Sequence, residues 1–175
     1  MIIKELFNKV ADWDYEDVQM EYGEAVTAVF NIDDKDGVEQ KYEVQFEEMA
    51  DEDDLTNMDT PFLPNTGGVW ELNFTSQVVG GRFNIKTNKI TGSGNELLVF
   101  ATVLDIIDKA SQKHNINNIT FGASNNEPSR VKLYKRLMKR LSKNWSIIPP
   151  AAVSAQYSHL ADSKYQTWIL IKKGN

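Results

Sequence analysis

Apolar and polar residues alternate along two early segments. Val26, Ala28, Phe30 and Ile32 take turns with Thr27, Val29 and Asn31, and Tyr42, Val44 and Phe46 take turns with Lys41, Glu43 and Gln45. A period of two puts each apolar set on one face, so both segments are predicted as half-buried strands. Asp36-Gly37 between them is a hairpin signal, and Gly23-Glu24 is a possible earlier turn. Ahead of these, Ile2, Ile3, Leu6, Phe7 and Val10 recur at helical spacing and predict a short amphipathic helix over 2–11. The opening third therefore reads as a helix followed by an antiparallel meander.

Residues 49–68 (MADEDDLTNMDTPFLPNTGG) show no period and contain two Pro and two Gly, the pattern of a long loop. Trp70, Leu72 and Phe74 then oppose Glu71, Asn73 and Thr75, a further strand. Gly80-Gly81 turns the chain into a short strand from Phe83 to about Lys89. After Ile90-Thr91-Gly92-Ser93-Gly94, residues 95–113 are apolar on most of a helical circumference until Asp105, which predicts a largely buried helix. Residues 116–124 read as a strand. Residues 129–142 read as a helix split between Val131, Leu133, Tyr134, Leu137, Met138, Leu141 and the charged Arg130, Lys132, Lys135, Arg136, Lys139, Arg140, with Lys143 just beyond. Pro149-Pro150 breaks the chain, and Tyr165 to Ile171 is a last strand. Without a repeat or a linker, the expectation is one α/β (α+β) domain over residues 1–175.

Composition narrows the chemistry. With 41% hydrophobic and 25% charged residues the chain can build a core and is not of the disordered class. There is no Cys, which removes disulfides, thiolate metal sites and a Cys nucleophile. His114 and His159 are the two histidines, far apart in sequence, so no metal site is expected. Lys4, Glu5 and Lys9 interrupt the first apolar run, and no stretch approaches the length of a membrane span, so a soluble, cytoplasmic protein without membrane partners is expected. The net charge of −6 is unevenly spread: residues 1–60 hold 19 acids and 4 bases, whereas residues 61–175 hold 6 acids and 15 bases. The C-terminal part could hold an anion; the same bias also fits a solvated acidic sheet face beside a basic helix.

Two segments carry candidate chemistry. Gly92 and Gly94 stand at the mouth of the 95–113 helix, where free amides and the helix dipole favour an anion; a plain turn uses the same residues. No Lys-Ser/Thr follows, so this is not a P-loop, and the third glycine of a dinucleotide fingerprint is missing. About 30 residues on, Asn125-Asn126-Glu127-Pro128-Ser129 opens the basic helix, with Pro128 suited to its first turn and Ser129 or Asn126 to its cap. Tyr134 falls where it could face the sheet, which also suits simple packing.

Together, Lys89-Ile90-Thr91-Gly92-Ser93-Gly94 and the segment Asn126 to Tyr134 (NEPSRVKLY) resemble the GNAT acetyltransferase superfamily over about residues 69–145. The run FGASNNEPSRVKLYKRLMKRL also looks like small GNAT-like proteins of tailed bacteriophages. Lys89 stands where that family has Arg or Gln, and the Asn-to-Tyr spacing is one residue longer. The resemblance implies a mixed, mostly antiparallel twisted sheet with helices on both faces, in which the strand before Gly92 and residues 116–124 are parallel neighbours. It implies acetyl-CoA as co-substrate, held by Ile85, Lys86, Thr87, Lys89, Thr91, Gly92, Ser93, Gly94, Asn95, Asn126 and Arg130. The implied reaction is direct acyl transfer to an amine, with backbone N–H groups of Phe83–Lys89 holding the thioester carbonyl, Tyr134 as general acid and Glu71 as candidate base. The acceptor would be a small-molecule or protein amine, and the acidic N-terminal part favours a cationic one such as a polyamine or a lysine-rich chain. A non-catalytic binding or virion-associated module of the same fold is the alternative. Nucleic-acid binding through residues 130–143 ranks third, because the aromatic residues there, Tyr134 and Trp145, are needed for the core.

Overall fold

In the computed structural model, residues 9–16, 25–50, 68–79, 95–126, 128–156 and 163–174 are described. Seven strands form one sheet in the order β1-β2-β3-β4-β5-β7-β6. They are β1 (Trp13–Glu16), β2 (Ala25–Asp33), β3 (Glu39–Ala50), β4 (Val69–Val78), β5 (Asn118–Ser124), β6 (Trp145–Ile148) and β7 (Tyr165–Lys172). Three helices accompany them among the described residues: α1 (Glu96–Lys113), α2 (Pro128–Leu141) and α3 (Pro150–Gln156). The fold is thus mixed α/β with a mostly antiparallel sheet: β1–β2, β2–β3, β5–β7 and β6–β7 are antiparallel, and β4–β5 is parallel. The contacts divide the chain into two compact units, Met1–Glu47 with Asn73–Ala110, and Glu48–Leu72 with Ser111–Asn175.

In the first unit the alternation read from the sequence sets the faces. Register pairs Phe30 with Tyr42, Ala28 with Val44 and Val26 with Phe46, and all six are buried. The ring of Tyr42 stacks on Phe30 and on Phe74, with centroids 5.0 and 5.8 Å apart. Asp36-Gly37 does make the β2–β3 turn: Gly37 takes φ 76°, and Asp34 Oδ1 accepts the N–H groups of Asp36 and Val38, each at 2.9 Å. That φ suits a residue without a Cβ. The opposite face is polar, with Lys41 Nζ 3.2 Å from Glu16 and 3.6 Å from Glu43, which also accepts the Thr75 hydroxyl.

Helix α1 is anchored to β1 and the residues before it. Trp13 Nε1 donates to Asp105 Oδ2 at 2.8 Å, Lys109 Nζ lies 2.8 Å from the same oxygen, and the ammonium sits 5.6 Å from the Trp13 ring centroid. Buried Thr102 accepts the Ala11 N–H at 3.0 Å and donates to the Leu98 carbonyl. The helix stops at Asn115, whose φ of 53° turns the chain so that the Ile116 N–H reaches back to the Ser111 carbonyl at 3.0 Å, with Ile116 fully buried.

The second unit places a helix on each face of the β5–β7 pair. Phe121 lies opposite Trp168, and Tyr134 of α2 meets both rings. Ile169 points the other way from Trp168, and there it packs with Val153 of α3, Ile148 and Ile171. β5 is buried on both faces, as a strand between two helices must be.

Several expectations change. Met49 and Ala50, expected in a loop, belong to β3, which runs through acids that hide its period. Pro149-Pro150 ends β6 but also opens α3, because a proline at the first helical position loses no needed donor. β1 and β6, four residues each, are too short for a periodic signal. Among the described residues the parallel neighbour of β5 is β4; the expected strand at 83–89, the 2–11 helix, the Gly23-Glu24 turn and residues 51–67 lie wholly or mainly outside the described residues. A parallel pair needs a crossover, and α1 lies in it.

Candidate functional site

The β4–α1–β5–α2 succession sets the geometry. Val69, Trp70 and Glu71 pair with Asn118, Ile119 and Thr120, and among the described residues the ladder stops there. Residues paired across a parallel ladder share a face, so Glu71 lies with Thr120, and Trp70 lies with Ile119 and hence Phe121. Tyr134 packs on Phe121. Glu71 and Tyr134, the proposed base and acid, therefore sit in the same unit on opposite faces of the sheet.

Tyr134 is half-buried and tightly oriented. Its ring stands edge-on to Phe121 at 5.2 Å and 88°, and edge-on to Trp168 at 6.0 Å and 88°. Phe121 and Trp168 stack at 5.6 Å and 13°. Three rings in such contacts fix the tyrosine more firmly than burial alone, each aromatic pair adding about 0.5–1.5 kcal/mol. Helix α2 holds this position because Val131, Leu137, Met138 and Leu141 are buried on the same side.

Asn95 is the N-cap of α1. Its carbonyl accepts the Val99 N–H at 3.0 Å and its side-chain amide donates to the Asp33 carbonyl. The first N–H groups of a helix have no partner within it, and here they belong to the residues that follow Asn95. Asn126 is exposed in the β5–α2 turn, its N–H 3.3 Å from Ser124 Oγ. Arg130 lies in the first turn of α2. Ile85, Lys86, Thr87, Lys89, Thr91, Gly92, Ser93 and Gly94 lie outside the described residues. His114 is exposed in the turn after α1.

No family model, curated protein or solved structure matches the chain.

Sequence reasoning missed an open groove of about 480 Å³ at the end of β5, lined by Asn125, Pro150, Ala151, Ser154, Ser163, Tyr165 and Gln166. Asn125 shapes it, donating its side-chain amide to the Ser163 carbonyl and its backbone N–H to the Lys164 carbonyl, both at 3.0 Å. Tyr165 pairs with Ser124, so its ring belongs to the Glu71 face, about 13 Å along β5 from Thr120. These residues come from three separate segments, and only tertiary folding joins them. Among the described residues no cluster of acids and histidines could hold a metal ion, and no helix is long and apolar enough to cross a membrane.

Proposed function

We propose that the chain is an acyl-CoA-dependent N-acyltransferase that moves an acetyl group directly from acetyl-CoA to an amine. The observation that carries this reading is the parallel β4–β5 pair, with α1 in its crossover, followed by α2 with Tyr134 held over β5. The order strand, helix, strand, helix agrees with the GNAT resemblance, which placed the parallel strand directly before Gly92, outside the described residues. Gly92 to Asn95 and the opening amides of α1 are assigned the pyrophosphate.

Acetyl-CoA supplies the thioester. The amine nitrogen bonds to the acyl carbon, the carbon–sulfur bond breaks, and the electron pair leaves with sulfur. Tyr134 gives its hydroxyl proton to that thiolate, and the proton lost by the amine passes to solvent. Nitrogen and sulfur are bonded to the same carbon during transfer, so acid and base must reach one centre; Glu71, on the other face of the sheet from Tyr134, does not fit the role of base.

Release of free thiol from acetyl-CoA, measured with and without a polyamine or a lysine-rich peptide, tests the reading. Acceptor-dependent thiol release is expected. Tight acetyl-CoA binding without transfer to any amine would instead assign a non-catalytic binding module.

A further inference from the structure

Helix α2 carries a dense stripe of positive charge on its exposed side. Lys132, Lys135, Arg136, Lys139 and Arg140 are all exposed, and residues 128–144 contain no acid. At 100° per residue these five cations fall within an arc of about 140°, opposite the arc of Val131, Tyr134, Leu137, Met138 and Leu141. Burial of that apolar side fixes the basic side outward. Lys143 follows in the next turn, and Lys173 reaches the same end of the helix, donating to the Ser142 carbonyl at 2.7 Å. Lys132, Lys135, Arg136 and Lys139 make no ion pair among the described residues. Like charges three and four residues apart repel along a helix, so the stripe costs stability until an anion neutralises it.

We infer that this stripe docks along the phosphate backbone of a nucleic-acid duplex. From Lys132 to Arg140 the helix rises about 12 Å, and each strand of a duplex presents a phosphate about every 3.4 Å. Lys132, Lys135, Arg136 and Lys139, at one contact each, supply about four phosphate contacts. Among the described side chains of α2 no large apolar one is exposed, which gives a lipid surface little apolar area to bury on this face. Tyr134 and Trp145 are taken up by the core, which removes base stacking but not phosphate tracking. Binding of this kind reads backbone rather than sequence. The inference stands apart from the acyltransferase reading, since neither needs the other.

The test is fluorescence anisotropy of a labelled mixed-sequence DNA duplex titrated with the full chain at several salt concentrations. About four phosphate contacts give a log–log slope near −3.6, hence about 100-fold weaker binding at 200 mM than at 50 mM salt. The triple variant Lys135→Gln, Arg136→Gln, Lys139→Gln changes exposed positions only. It is expected to keep or slightly raise its melting temperature and to reduce the slope by about 2 to 3. The net charge of −6 means that attraction by the molecule as a whole does not explain such binding. Absence of binding at 50 mM salt would overturn the inference. So would an unchanged slope in a folded triple variant, or equally strong competition by polyglutamate or phosphatidylserine vesicles at matched charge.

Discussion

Tyr134 combines two demands on one side chain: its ring packs between β5 and β7, and its hydroxyl is assigned the proton for the leaving thiolate. Tyr134→Phe separates them, because the edge-on contacts with Phe121 and Trp168 survive and only the hydroxyl goes. Turnover is expected to fall by about 10² to 10⁴, the usual worth of general acid catalysis, with melting temperature and acetyl-CoA affinity little changed. Near-full activity in this variant would make Tyr134 a pocket wall. Tyr15 gives a second residue-scale test. Burial pushes its hydroxyl above the ordinary tyrosine range, and the Lys109 charge opposes this in part. A group whose folded pKa is raised keeps its stabilising effect below its unfolded pKa, here about 10. Its contribution is lost as pH rises through the folded value. Chemical denaturation between pH 9 and 11.5 is expected to show a decline that Tyr15→Phe makes shallower.

Elements were legible where a period ran long enough to show. The strands around Phe30 and Tyr42, the 95–113 helix and the split helix of Tyr134 are set by burying one face, and that demand is written in residue spacing. β1 and β6 were not legible, since Trp13 and Trp145 gain their places from partners 17 and 27 positions away, Phe30 and Lys172. At the candidate site Tyr134 could be placed from its helix, whereas the groove formed by Asn125, Ser154 and Tyr165 depends on three elements meeting. The anchoring of α1 is likewise non-local. Trp13→Phe removes the indole N–H from the half-buried Asp105 carboxylate while keeping an aromatic ring. A loss of about 1–3 kcal/mol in urea unfolding is expected. On α2, Leu141→Ala leaves a cavity on the face that seats Tyr134, and a loss of about 2–5 kcal/mol is expected. Because that face positions the tyrosine, turnover should fall along with stability.

At the scale of the whole molecule, the proposed anionic co-substrate would have to be held by local amides and cations, because the chain's net charge is −6. A ligand that binds the folded state alone stabilises it by about 2.7 kcal/mol at 100 times its dissociation constant. For a chain of this size that corresponds to a rise of about 5–10 °C in melting temperature. The most direct measurement is therefore the melting temperature of the full chain with increasing acetyl-CoA, beside ATP at equal concentrations as an anionic nucleotide without a thioester. A saturable rise of that order with acetyl-CoA, and a clearly smaller one with ATP, is the expected result. No shift at millimolar acetyl-CoA, or an equal shift with ATP, would contradict the assignment of an acyl-CoA site.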